Sequence, residues 1–134
     1  MSLITLEQEL RYTWLSISKM YNEEASKYGG SMAVGFALLS LNPKQDTPST
    51  SLGPKMGMES TSLSRTLKFM EDENLIQRIP NPEDGRGVFI KLTQRGIEFR
   101  NYARGLVMKF NKTIKDEVGE ASIKNFYLVV DLSL

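Results

Sequence analysis

A run of small hydroxyl side chains followed by two basic residues carries the strongest chemical signal in the sequence. Arg65 and Lys68 are three residues apart, so a helix through this region presents both on one face. An arginine there can donate paired hydrogen bonds to guanine, and a lysine can contact phosphate. Hydroxyls near the start of such a helix can donate to phosphate at the positive end of its dipole. Four of them stand there: Ser60, Thr61, Ser62 and Ser64. The pattern favours contact with nucleic acid over an ordinary solvated face.

Two missing residue types exclude much other chemistry. The 134-residue chain contains no Cys and no His, which excludes disulfides, thiol nucleophiles, Cys-based zinc sites and Ser-His-Asp triads. No P-loop, dinucleotide fingerprint or calcium loop is present, so we expect neither a cofactor nor a metal, and no enzyme activity. The apolar run Phe126–Val130 is far shorter than the roughly 20 residues that span a bilayer. With no export signal at the start, the sequence predicts a cytoplasmic protein that does not enter a membrane.

Charge is almost balanced, with 17 basic and 16 acidic side chains and a net charge of +1. Binding to nucleic acid must therefore depend on where the charges point. Four further basic side chains are possible contacts to the DNA backbone: Lys55, Arg78, Lys91 and Arg95. Four acidic side chains oppose a broad basic patch: Glu59, Glu71, Asp72 and Glu73. We expect moderate affinity that falls steeply with salt.

The first forty residues predict two helices. Apolar residues recur every three or four positions between Leu6 and Tyr28, which predicts an amphipathic helix over 4–28. Gly29-Gly30 ends it, because glycine adopts the left-handed cap conformation without strain. Ser31 is a suitable N-cap for a second helix, Met32–Leu41, that is apolar on nearly all sides.

A helix-turn-helix follows. The segment Thr50–Met56, the turn Gly57-Met58 and a helix over Glu59–Glu73 give its three parts. At 100° per residue, the basic face described above lies opposite an apolar face. That apolar face contains Leu63, Leu67 and Met70. Asn74 follows the helix, where a left-handed residue is expected.

The rest of the chain predicts a β-hairpin and long helices. Leu75–Pro80 and Val88–Leu92 are strand-like and are joined by the turn residues Asn81–Gly87. Thr93 can cap a helix over Gln94–Val118, which Gly119 interrupts before a last helix at Ala121–Leu132. The predicted fold class is α+β, mainly helical: a winged helix-turn-helix between N- and C-terminal helices.

Three stretches resemble the MarR family of winged helix-turn-helix transcriptional regulators. Leu52–Arg78 is similar to the family's helix-turn-helix, and Asn81–Gly87, with Asp84 and Arg86, is similar to its Asp-x-Arg wing. Leu92–Gly96 is similar to the Leu-Thr-x-x-Gly that opens the following helix. One departure is Gly53-Pro54, which stands where the family has helix-favouring residues and predicts a kinked or late-starting helix.

The resemblance implies a bacterial homodimer that binds a pseudo-palindromic operator in double-stranded DNA. Residues 1–134 would form a single MarR-like domain. Within it, 1–30 and 94–134 would be dimerisation helices and 31–93 the DNA-binding lobe. Arg86 would enter the minor groove and Asp84 would orient an arginine. Family members are often repressors that release DNA when a small phenolic or apolar effector binds between the dimer and DNA-binding parts.

Aromatic side chains could line such an effector pocket. The predicted set is Trp14, Tyr21, Phe36 and Tyr102. Ordinary core and dimer packing explains an aromatic stripe equally simply. Two alternatives to the DNA-binding regulator stay open: a winged-helix protein-interaction module that does not bind DNA, and a small-molecule carrier.

Overall fold

The computed structural model describes residues 4–81, 83 and 87–134. Within these residues, five α-helices and three strands follow one another in an order that confirms the predicted mainly helical winged helix-turn-helix. Their bounds are α1 Leu6–Ser26, α2 Met32–Leu39, β1 Thr47–Pro48, α3 Leu52–Met56, α4 Ser60–Asp72, β2 Ile76–Pro80, β3 Val88–Leu92 and α5 Gln94–Ser133. A 3-10 turn, Ser49–Ser51, leads into α3.

Side-chain caps explain where several helices begin. The hydroxyls of Ser31 and Thr93 accept hydrogen bonds from the backbone N–H groups of Val34 and Gly96, at 3.3 and 3.0 Å. Both caps were expected from the sequence, because a hydroxyl satisfies an otherwise unpaired N–H in the first turn. Asn74 adopts a positive φ of 60° after α4, which confirms the predicted left-handed residue.

The sheet has three antiparallel strands in the order β1-β3-β2. The two long strands pair from Ile76 opposite Leu92 to Pro80 opposite Val88, as the hairpin prediction requires. Strand β1 was not predicted, because two residues that include a proline carry no alternating pattern. It lies at the sheet edge, where a proline is tolerated.

The helix before the turn is short and starts late, as its Gly53-Pro54 pair predicts. Pro54 is the third residue of α3, within the first turn, where a backbone N–H has no partner inside the helix. Gly57 ends α3 in the left-handed conformation with φ 61°. The backbone N–H of Met58 then donates to the carbonyl oxygen of Gly53 at 3.2 Å, which closes the turn before α4.

The core lies in the winged-helix lobe, which we define as residues 31–93, and under the first turns of α5. Its largest fully buried side chains are Phe99, Leu38, Leu52, Met70, Leu75, Ile76 and Ile90. Gly96 lets α5 approach the lobe, because a Cβ at this position would lie only 2.0 Å from the carbonyl oxygen of Leu75.

The outer parts of α1 and α5 are much less buried. Helix α5 is interrupted at Gly119, whose φ of 84° and ψ of 164° are not helical, as the sequence predicts. Beyond that break, Phe126, Leu128 and Leu132 are 50, 60 and 82% exposed. Among the residues described, no helix is both long and apolar enough to cross a membrane.

Candidate nucleic-acid interface

The outer face of α4 is made of the predicted hydroxyl and basic side chains. Leu67 and Met70 face inward and are 5 and 0% exposed, so the helix has one buried and one solvent-facing side. All six predicted contact residues on this helix are exposed: Ser60, Thr61, Ser62, Ser64, Arg65 and Lys68. The amphipathic pattern therefore predicted correctly which side of α4 faces solvent.

The N-terminal half of α4 is rich in unused hydrogen-bonding groups. Glu59 occupies the N-cap position but makes no side-chain bond to the helix. Within the part of the chain that the structure describes, none of the four hydroxyls takes part in an internal hydrogen bond, and Arg65 makes no ion pair. Lys68 contacts Asp72 at 3.5 Å, with both side chains largely exposed. Such a pair is weak and can open when a phosphate approaches.

The C-terminal end of α4 differs, because its carboxylates pair with neighbouring cations. Glu71 lies 3.7 Å from Arg78 on β2, and Glu73 lies 3.8 Å from Arg95 on α5. Lys55 and Lys91 are exposed. The sequence identified these acidic residues as opposing a basic patch, but it did not predict the pairings, which join different elements. Within the described residues, Arg65, the basic residue of α4 that makes no ion pair, thus lies in the N-terminal half of the helix.

The wing is described only at its base. The backbone N–H of Asn81 donates to the carbonyl oxygen of Gly87 at 3.1 Å, so the two strand ends stay paired. Asp84 and Arg86 lie outside the residues that the structure describes. Their roles remain predictions.

Three of the four predicted pocket residues come together. Tyr21, Phe36 and Tyr102 line a small cavity between α1, α2 and α5, which we call the junction cavity. Trp14 lies apart from it and is 52% exposed. The junction cavity has a volume of only about 20 Å³, enough for about one water molecule. Its aromatic walls pack against one another, with the Tyr21 ring centroid 5.9 Å from that of Phe36.

A polar cluster that the sequence did not predict borders this cavity. The hydroxyl of Tyr102 donates to Glu24 at 2.6 Å, and Lys27 donates to the same carboxylate at 3.0 Å. These bonds, that from Tyr102 foremost, lower the pKa of Glu24 below its ordinary value, and the same contact raises the pKa of Tyr102. Seventy-eight positions separate Tyr102 and Glu24, so no local pattern indicates the bond.

The sequence matches the MarR family model over residues 31–88. It is also similar to the HTH-type transcriptional regulator BilQ of Clostridioides difficile (strain CD3). The two are 24% identical over 119 residues, which cover 85% of this chain and 80% of BilQ.

The fold is similar to solved structures of regulators. A complex of S. aureus MepR with DNA superimposes with a TM-score of 0.89 at 15% identity, covering 98% of this chain and 96% of MepR. A cysteine-to-serine mutant of MarR from E. coli, complexed with operator DNA, has a TM-score of 0.82 at 20% identity. That match covers 96% of this chain and 93% of MarR.

The fold and the solvent-facing α4 define a winged helix-turn-helix protein with long terminal helices. Over residues 31–88, within the lobe that contains α4, the chain also matches the MarR family model. These matches are to transcriptional regulators, of which BilQ is one.

Proposed function

We propose that the chain binds double-stranded DNA as a homodimer and inserts the N-terminal half of α4 into the major groove. The observation that carries this proposal is the exposed face of α4. There Arg65 makes no ion pair within the described residues, and four hydroxyls stand beside it with no internal partner. Arginine suits guanine, and hydroxyls suit phosphate. MepR and the MarR mutant, both solved with DNA, support the same class of ligand here.

The homodimer is supported by the apolar surface of the terminal helices. A groove of about 1030 Å³ runs between the middle of α1 and the two parts of α5, on either side of Gly119. Ile17, Phe110 and Ile123 are among its lining residues. Exposed apolar surface of this extent is typical of an interface between protein chains. The proposal keeps the predicted division of one domain: terminal helices for dimerisation and residues 31–93 for DNA.

Two such lobes would contact a pseudo-palindromic operator in successive major grooves, about 34 Å apart. Arg86 would reach the minor groove on each side, and Asp84 would orient an arginine. Glu71 and Glu73 hold two nearby cations in ion pairs, which limits nonspecific attraction to phosphate. We therefore expect moderate affinity with a steep salt dependence.

Regulation by a small effector is the second part of the proposal. A ligand that favours one spacing of the two lobes lowers DNA affinity by shifting the population of conformations. We propose that the protein is a repressor and that the effector relieves repression in this way. Because its target is the bacterial chromosome, we place the protein in the cytoplasm.

A protein-interaction module without DNA binding is the second candidate function. The near-neutral net charge of +1 favours it, as do the ion pairs at the C-terminal end of α4. It predicts no salt-dependent affinity for DNA. The two candidates therefore separate in one binding experiment.

The test is fluorescence anisotropy on random-sequence duplex DNA at low and physiological salt. The parent should bind at low salt and weaken steeply as salt rises. Arg65→Ala should weaken binding by at least about tenfold, while Arg11→Ala, an exposed arginine on α1, should stay within about twofold. Arg86→Ala tests the wing. No binding by the parent at low salt would contradict the proposal and favour the interaction module.

A further inference from the structure

The two ends of α4 are held differently. At the N-terminal end, Glu59 occupies the N-cap position without a side-chain bond to the helix. At the C-terminal end, the chain leaves α4 through Asn74, in the left-handed conformation, and Leu75, which is 1% exposed. The carbonyl oxygens of these two residues both accept hydrogen bonds from Thr93, the residue just before α5. Helix α4 is therefore anchored beyond its C-terminal end, away from the half that carries Arg65.

Thr93 makes this link with three hydrogen bonds. Its backbone N–H donates to the carbonyl oxygen of Leu75 at 3.1 Å, and its hydroxyl donates to that of Asn74 at 2.7 Å. The same hydroxyl accepts from the backbone N–H of Gly96 at 3.0 Å and so caps α5. One residue thus ties the exit from α4 to the first turn of α5. We call these three bonds the α4–α5 clamp.

The clamp joins two backbones that lie in direct contact. A Cβ at Gly96 would lie 2.0 Å from the carbonyl oxygen of Leu75, so α5 has no space in which to shift toward the end of α4. An ion pair between Glu73 and Arg95 crosses the same junction at 3.8 Å, but these side chains are 44 and 53% exposed, and such a pair is weak. Within the described residues, the hydroxyl of Thr93 is therefore the side-chain group best placed to fix the direction of α4 against α5.

We propose that Thr93 is a positioning residue that sets the angle between α4 and α5, and through it the spacing of DNA half-sites that the protein accepts. The proposal rests on the proposed function, in which α5 belongs to the dimer and α4 enters the major groove. One additional base pair moves a half-site by about 3.4 Å and rotates it by about 35°. A fixed angle makes that mismatch costly, whereas a loose α4 tolerates it, because preorganisation concentrates affinity on one geometry.

The angle can be measured without DNA. Because the sequence contains no Cys, two spin labels can be attached through Ser64→Cys on α4 and Asn101→Cys on α5, both at exposed positions. Excess unlabelled parent ensures that a dimer contains only one labelled protomer. The parent should give one narrow distribution of distances between the labels. Thr93→Val keeps the shape of the side chain and loses both hydroxyl bonds, so it should roughly double the width of that distribution.

Three further variants separate the link between helices from simple capping. In Thr93→Asp the carboxylate still accepts from the N–H of Gly96 but cannot donate to Asn74, so this variant should broaden the distribution as Thr93→Val does. Thr93→Ser keeps both bonds and should behave like the parent. Ser31→Ala removes a matched cap bond, from the N–H of Val34, that joins no second helix, and it should leave the distribution unchanged. Thermal unfolding shows that each variant is folded.

The spacing role is measured on two DNA duplexes: an operator selected from random DNA, and the same operator with one base pair inserted between its half-sites. The parent should prefer the selected spacing by at least about 30-fold, and Thr93→Val and Thr93→Asp should reduce the preference to within about threefold. Thr93→Ser and Ser31→Ala should keep the preference of the parent. Loss of folded protein lowers both affinities equally, so the ratio of the two affinities reports positioning alone.

The two measurements can fail independently. The positioning role is overturned if Thr93→Val and Thr93→Asp keep the distance distribution of the parent, or if Thr93→Ser broadens it as much as they do. The spacing role is overturned if both variants lose affinity but keep the preference of the parent. If the parent binds no DNA at low salt, the proposed function fails and the spacing role fails with it, while the distance distributions still decide whether Thr93 positions α4.

Discussion

The winged-helix lobe buries many of its apolar side chains, whereas the terminal helices leave many of theirs exposed. In the lobe, Leu38, Leu52 and Met70 are completely buried. In α5, by contrast, Ala103 is the last buried residue, and the roughly thirty residues of this helix that follow it are all at least partly exposed. Helix α1 buries only Tyr21 and Ala25. The lobe therefore holds most of the core, whereas much of the apolar surface of the terminal helices is exposed.

Helical periodicity predicts an apolar face equally well in both regions, and it does not say what covers that face. This is why α1, α2, α4 and α5 were predicted correctly from their patterns, while the degree of burial was not. Substitutions at the junction of the lobe and α5, and in each of the two regions, test this difference in burial.

Gly96, at the junction of lobe and α5, should be the most sensitive position. Gly96→Ala places a Cβ 2.0 Å from the carbonyl oxygen of Leu75, so backbone must move, and we expect a loss of at least about 3 kcal/mol in the free energy of unfolding. Gly105→Ala lies on the same helix with no atom within 4 Å of its Cβ. It should be neutral or gain up to about 1 kcal/mol. Urea unfolding at one protein concentration measures both, and equal stabilities would contradict the close approach.

The terminal helices should determine association without determining the fold of the lobe. The double variant Ile123→Glu and Phe126→Glu puts charge into the groove and should raise the dimer dissociation constant by at least about 100-fold. Asn125→Glu, outside that groove lining, is the control. Light scattering should give twice the chain mass of 15.2 kDa for parent and control and the single mass for the double variant. A dimeric double variant would show that the exposed face is not the interface.

Pairing at the C-terminal end of α4 should moderate DNA affinity. Glu71→Gln and Glu73→Gln release Arg78 and Arg95, so each should strengthen binding to random duplex by about two- to fivefold at low salt. The slope against salt should steepen by up to about one unit. Glu9→Gln on α1 provides the matched loss of charge and should have no effect. An equal gain in all three variants would mean that only net charge matters.

Glu24 should give the smallest effect, and one that depends on pH. Its pKa is lowered in the folded protein from the ordinary value of 4.5, so its contribution to stability is present above that pH and is lost as pH falls through the folded pKa. Glu24→Gln should lower the melting temperature by about 1–4 °C at neutral pH and by less in acid. Glu23→Gln, the exposed neighbour, is the control. A difference that stays constant between neutral and acid pH would contradict the assignment.

Local sequence determines one part of the candidate site, and the tertiary fold determines the rest. The solvent-facing position of Arg65 and the hydroxyls follows from helical spacing alone. The pairing of Glu73 with Arg95 and the bond from Tyr102 to Glu24 join distant segments, and no short pattern indicates them.

The most direct test of the central claim is the stoichiometry and footprint of the protein on an operator selected from random DNA. The account predicts two protomers per duplex and hydroxyl-radical protection in two patches centred about 10 base pairs apart. Arg65→Ala should lose both patches together, because both copies of α4 carry the same contact. One protomer per duplex, or an Arg65→Ala footprint identical to that of the parent, would contradict the claim that paired α4 helices bind DNA.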